Sequence, residues 1–147
     1  MTTFRSRAIS VVVSLVLASG ALAACSSDSG KTVDATLTDF AVGLAPTSIG
    51  AGSVTFKVEN KGSFIHELVV VQADNAADLP TKTNGEVNED AMPASKRMGE
   101  VEDVNPDSTK SFTLTLPAGK YVLFCNRVDG TKVHFKEGMY AAFTVTS

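Results

Sequence analysis

Among 147 residues the chain has two histidines, two cysteines and four methionines, and their positions are uneven. His66 stands just after a turn, at the mouth of an apolar run. Cys125 closes a second run, and His134 and Met139 share the loop that follows it. A thiolate and two imidazoles form a strong trigonal set for copper, and a thioether supplies a weak axial contact. Zinc would accept two His and one Cys, but gains little from the thioether. Four such side chains at one end of a small domain would hold one copper ion, cycling between Cu(I) and Cu(II), with no coordination position open for a substrate. Each also has a plainer reading: surface histidines, a buried structural thiol and a core-filling methionine.

The elements that must position them read as β throughout. Val33 to Phe40 and Val54 to Glu59 alternate apolar with polar residues, the period of a half-buried strand. Leu68-Val69-Val70-Val71 is a β-branched run suited to the middle of a sheet. Residues 73–96 break the rhythm with Pro80, Pro93 and the Asn84-Gly85 pair, and read as a long surface excursion with a short helix near Asn75 to Leu79. Strands resume at Arg97 to Val104, Ser111 to Leu116, Tyr121 to Phe124 and Tyr140 to Thr146. About seven or eight short strands with almost no helix predict an all-β, two-sheet antiparallel sandwich. In a sandwich, loops gather at the ends, so the four side chains can meet.

The first segment stands apart. Met1 to Arg7 carries Arg5 and Arg7, Ala8 to Leu17 is apolar, and small residues follow, the three-part layout of a secretory signal. Its apolar core is short for a membrane span. Leu22-Ala23-Ala24-Cys25 resembles the lipobox of bacterial lipoproteins, which implies cleavage after residue 24 and acylation of Cys25. The plainer alternative is an ordinary signal with an incidental cysteine. Residues 25–31 then form a tether, and 32–147 the folded domain. If Cys25 is acylated, Cys125 has no disulfide partner in an oxidising compartment, which is tolerable if a metal occupies it.

Without Arg5 and Arg7 the chain has 11 basic and 16 acidic residues, a net charge of −5. That balance argues against nucleic-acid binding. The absence of Trp leaves no indole platform for sugars.

The segment Tyr121-Val122-Leu123-Phe124-Cys125-Asn126, then His134, then Gly138-Met139-Tyr140-Ala141-Ala142-Phe143-Thr144-Val145, resembles the C-terminal metal loop of the cupredoxin (plastocyanin-like) family. Phe64-Ile65-His66-Glu67-Leu68-Val69-Val70 resembles the segment that carries the family's first histidine. The resemblance spans nearly all of residues 32–147. It implies a Greek-key sandwich with His66, Cys125 and His134 as strong copper ligands and Met139 as the axial one.

Two features depart from the family's pattern. Eight residues, Asn126 to Val133, separate Cys125 from His134, where the family has only a few. Growth from about four to eight adds only ~0.6–0.7 kcal/mol of closure entropy, so the expected consequence is a looser, more solvent-open His134. Glu67 stands where the family often has Asn, and Asn126 follows the cysteine. An exchanged brace is expected, with the Glu67 carboxylate accepting from Asn126 and fixing Cys125. Arg127, Lys132 and Lys136 lie around His134, either as a docking patch for an acidic partner or as solubilising charge.

These readings favour a monomeric one-electron carrier of the blue-copper type at the cell envelope, lipid-anchored, not an enzyme. Its expected partner is an extracytoplasmic or membrane-bound redox protein, with the edge of His134 as the electron's exit. A copper chaperone or resistance protein, and a metal-free interaction module, are the alternatives.

Overall fold

The alternating segments form strands in a computed structural model that describes residues 30–147. The expected leader, residues 1–24, and Cys25 lie outside the described residues, as does most of the tether. Lys31, its last residue, already opens the first strand. The strands are β1 (Lys31–Thr38), β2 (Ala41–Ala45), β3 (Ser48–Gly50), β4 (Gly52–Asn60), β5 (His66–Gln72), β6 (Arg97–Val104), β7 (Thr109–Leu116), β8 (Gly119–Phe124), β9 (Val128–Asp129), β10 (Lys132–Val133) and β11 (Tyr140–Thr146).

Two sheets face each other, one in the order β2-β1-β4-β7 and the other β3-β11-β8-β5-β6, with β9-β10 a separate hairpin. Most neighbours are not consecutive in sequence, so the chain crosses repeatedly between sheets, as Greek-key winding requires. The expected all-β sandwich therefore stands, with two corrections. The described strands number eleven rather than seven or eight, because β2, β3, β9 and β10 are too short to show a period. The sheets are also mixed: β1 runs parallel to β4 and β11 parallel to β3. After β2 the chain passes from the edge of one sheet to the edge of the other, and returns as β4 in the direction of β1.

The core fills the space between the sheets. Val33, Ala35 and Leu37 of β1 and Val54, Phe56 and Val58 of β4 meet Leu68, Val70, Tyr121, Leu123, Phe143 and Val145 from the opposite sheet. Phe56 stacks on Phe112 and meets Phe143 edge-on.

The run Leu68 to Val71 is apolar without alternation because β5 is buried on both faces. Leu68 and Val70 look into the main core, while Val69 and Val71 join Val122, Phe124 and Phe135 in a second one. Residues 73–96 cover that second core with Leu79, Val87 and Met92. The expected surface excursion is thus a lid on the sheet. Its short helix is a 3-10 turn at Ala76–Asp78, followed by two more at Glu89–Ala91 and Ala94–Lys96. Among the described residues no helix is long and apolar enough to cross a membrane.

One buried polar side chain fastens the turn that delivers His66. Asn60, fully buried at the end of β4, donates from Nδ2 to the carbonyls of Phe64 and Val104, both at 2.8 Å, and its Oδ1 accepts from the Gly62 N–H at 2.8 Å. Buried networks of this kind are stabilising only when every member is satisfied. Asn60→Ala is expected to lower the unfolding free energy by on the order of 2–3 kcal/mol by stranding those three backbone groups, read from urea denaturation of the metal-free protein.

Candidate metal centre

The alternation of β8 sets Cys125. Tyr121 and Leu123 point into the main core and Cys125 continues their face, while Val122 and Phe124 take the other. On β5 the same parity places His66 with Leu68 and Val70, and Glu67 on the opposite side. Cys125 is tied to the far end of its loop, donating its N–H to the carbonyl of Met139 at 3.1 Å, and Met139 donates in turn to the carbonyl of His134 at 3.0 Å. Between these points residues 126–133 do not sprawl. β9 and β10 pair as a hairpin with Gly130 at its tip, φ 61°, and the His134 N–H closes it on the Arg127 carbonyl at 2.9 Å.

The structure brings His66, Cys125 and His134 together. The two Nδ1 atoms are 3.1 Å apart, and the Cys125 sulfur lies 3.3 Å from Nδ1 of His134 and 3.8 Å from Nδ1 of His66. All three residues are 0% exposed. The outer nitrogens face carboxylates: Nε2 of His66 is 3.4 Å from Oδ1 of Asp39, and Nε2 of His134 is 2.8 Å from Oδ2 of Asp129. Those carboxylates favour the tautomer with hydrogen on Nε2, which leaves each Nδ1 as a bare lone pair. Burial, above all, lowers the pKa of both imidazoles, so they are neutral donors. Burial also pushes the Cys125 thiol up to about 11, against the backbone amides of Glu67 and Arg127, which favour its anion.

With its proton on, the Cys125 thiol can donate to Nδ1 of His134 at 3.3 Å; as a thiolate, it and the two lone pairs repel one another unless a cation lies between them. Ligand bonds of about 2.0–2.3 Å diverging by roughly 100–120° place donor atoms about 3.1–3.7 Å apart. The observed separations of 3.1, 3.3 and 3.8 Å fall within that range or just beyond it, so the cluster is positioned for one metal ion.

The remaining expected residues are placed as follows. Met139 is fully buried in the same core cluster as Cys125. The Glu67 carboxylate accepts from Asn126, through the backbone N–H at 3.0 Å. The Asn126 side chain turns away and anchors the lid, accepting from the Val87 N–H at 2.7 Å and donating to the Val87 carbonyl and to Glu89.

The expected solvent-open His134 is not found. The hairpin, Phe40 and Phe64 cover its ring, the two phenyl centroids lying 5.3 and 5.8 Å from the imidazole. Of the basic residues around it, Arg127 pairs with Asp103 at 2.9 Å and Lys132 lies over the Phe40 ring.

Asp39, Phe40 and Gly62 gave no sequence signal of a role here, and Asp129 was legible only as one acid among neighbouring bases. A Cβ on Gly62 would lie 2.3 Å from Oδ1 of Asp39 and 2.8 Å from Nε2 of His66, so only glycine allows this approach.

No family model matches the chain, and no curated protein matches it in sequence. Its shape is shared with solved structures. A reduced auracyanin from Roseiflexus castenholzii is 19% identical with a TM-score of 0.57, covering 80% of this chain and 98% of that one. Auracyanin A from Chloroflexus aurantiacus, described as a "blue" copper protein, is 24% identical with a TM-score of 0.54, over 78% of this chain and 98% of its own. Rusticyanin from Thiobacillus ferrooxidans is 19% identical with a TM-score of 0.54, over 80% and 79%. The chain has the cupredoxin fold.

Burial raises the Glu67 carboxyl from 4.5 to about 7, so the folded state favours its neutral form. The stability this contributes is present in full below about 4.5 and is lost as pH rises through about 7. Glu67→Gln retains the acceptor for Asn126 without the charge. Thermal unfolding of the metal-free variant should show a gain on the order of 2 kcal/mol over wild type at mildly alkaline pH, vanishing in acid.

Proposed function

We propose that this protein is a type 1 (blue) copper protein that carries single electrons at the cell envelope. The observation that carries the reading is the meeting of His66 Nδ1, Cys125 Sγ and His134 Nδ1 at one buried point, on the fold of a described "blue" copper protein. A soft thiolate with two imidazoles would select copper, and Met139, buried in the same cluster, would supply the weaker thioether donor. Bound copper supplies a reversible one-electron couple between Cu(I) and Cu(II).

The chain's own residues hold that couple still. His66 is locked by β5, Cys125 by its bond to Met139, and His134 by the hairpin, so few ligand positions can shift when charge changes. Full burial of the three donors supports a carrier over a copper-delivery protein, which must expose its ion to release it. The rings of Phe40 and Phe64 stand over His134, and this end of the sandwich is where a partner would approach.

The leader and the Leu22-Ala23-Ala24-Cys25 motif support export and acylation of Cys25. An anchor there would keep the carrier beside an extracytoplasmic or membrane-bound redox partner.

Two measurements test the reading. The purified protein loaded with Cu(II) should show an intense band towards the red end of the visible, bleached by reduction and restored by oxidation. Cys125→Ser should abolish the band. Copper bound by the wild type without such a band would overturn the electron-carrier reading. Separately, Cys25→Ser should move the protein from the membrane fraction to the soluble one; an unchanged distribution would remove the lipid anchor.

A further inference from the structure

The lengthened loop between Cys125 and His134 bears an acid whose place is unusual. Oδ2 of Asp129 faces Nε2 of His134 at 2.8 Å. Both atoms are sealed from solvent, and neither forms a hydrogen bond of regular geometry, with the other or with any further group. We propose that Asp129 is a positioning residue of the metal centre: its carboxylate, at contact distance from Nε2 of His134, favours the Nε2–H tautomer, keeps Nδ1 turned to the metal, and biases the couple towards Cu(II). The proposal rests on the blue-copper reading for its redox part only.

The hairpin is built to deliver this side chain. Asp129 is the last residue of β9, in register with Lys132, and the turn between them passes through Gly130 in the left-handed region. The hairpin's base is fixed twice, by the His134 N–H on the Arg127 carbonyl at 2.9 Å and by the Arg127 guanidinium on Asp103 at 2.9 Å. Asp129 therefore reaches His134 from a braced element. A shorter loop would lack the strand that carries it.

His66 has a counterpart in Asp39, but the two carboxylates are not equivalent. Asp39 lies farther away, at 3.4 Å, and is already shared with the Ser63 N–H at 2.8 Å and the Ser63 hydroxyl at 2.6 Å. Its charge is spread over other donors before it reaches the imidazole. Asp129 Oδ2 has only the ring to face.

Carboxylates on the far nitrogen of a metal-bound imidazole fix the tautomer and increase the ring's basicity. A more basic ligand and a nearby negative charge both favour the higher oxidation state of the metal. The step itself is simple. Transfer of one electron from the partner would reduce bound Cu(II) to Cu(I), with no bond to Asp129 made or broken.

The test has one arm without copper and one with it. In the ¹⁵N-labelled, metal-free full chain, imidazole shifts should show His134 as the Nε2–H tautomer, with Asp129→Ala admitting the Nδ1–H form. In the copper-loaded chain, Asp129→Asn should raise the reduction potential, Asp39→Asn should raise it less, and Asp74→Asn, at an exposed position paired with Lys120, should leave it unchanged. Asp129→Ala should lose copper to a competing chelator about tenfold to a hundredfold more readily, while Asp129→Asn, which retains an acceptor, should stay near wild type.

Should Asp129→Ala fail to fold, the same-sized Asp129→Asn still decides the question. A potential for Asp129→Asn equal to that of Asp74→Asn, or a wild-type His134 in the Nδ1–H form, overturns the proposal. A wild type that binds Cu(II) without the charge-transfer band sinks the blue-copper reading instead, and the tautomer arm still judges the role of Asp129.

Discussion

Three electron-rich atoms face one another within 3.8 Å where no solvent reaches: Nδ1 of His66, Nδ1 of His134 and the sulfur of Cys125. In water such groups would separate and hydrate. Here the sandwich presses them together, and each neighbouring feature can be read as a means of doing so. Asn60 pins the turn before His66, Gly62 lets Asp39 come close beneath it, and the backbone bonds from Cys125 to Met139 and Met139 to His134 draw the loop shut. With the sulfur as a thiolate, such a cluster of uncompensated donors opposes folding. A cation among them converts the same crowding into binding energy.

Burial sets both the strength and the conditions of that binding. It holds the imidazoles neutral, as ligands must be, and it keeps the Cys125 proton on up to about pH 11 in the metal-free chain. A metal has to displace that proton, so its apparent affinity grows with pH until the thiol titrates. The amides of Glu67 and Arg127 directed at the sulfur ease the exchange. They stabilise the anion without adding a charge of their own. Sequestration also protects the thiol from oxidants.

Much of this was legible in the residues. Arg97 to Val104 and Tyr140 to Thr146 are strands with the expected bounds; the second alternates cleanly through Phe143 and Val145, while in the first Met98, Val101 and Val104 fall every third residue because its register slips against β5. The three donors stood out because their types are scarce and each sits beside a strand end. The parallel pairings were not legible, since period alone fixes which face a residue takes and says nothing of its neighbour's direction. β2 and β3 escaped because five and three residues cannot show a pattern. Leu79, Val87 and Met92 lie among prolines and turns without any period, so their joint burial under the lid had no signature. Loop length misled about His134: extra residues were taken as slack, but they fold into a hairpin that covers it.

The turn between β1 and β2 shows how closely the cover is fitted. Its two residues, Asp39 and Phe40, serve different ligands: the carboxylate faces Nε2 of His66 and the phenyl ring lies edge-on to His134. For this Phe40 adopts φ 64°, a region that bulky side chains enter at a cost of order 1–3 kcal/mol. A glycine there would remove the strain and uncover the imidazole. The strained side chain persists because its ring is held among Phe64, His134 and the Lys132 ammonium, and those contacts need this backbone. Together with the hairpin it leaves His134 no edge in water, so an electron exchanged at this end, on the proposed function, would have to pass through packed rings. That path trades direct contact for a dry, fixed ligand set.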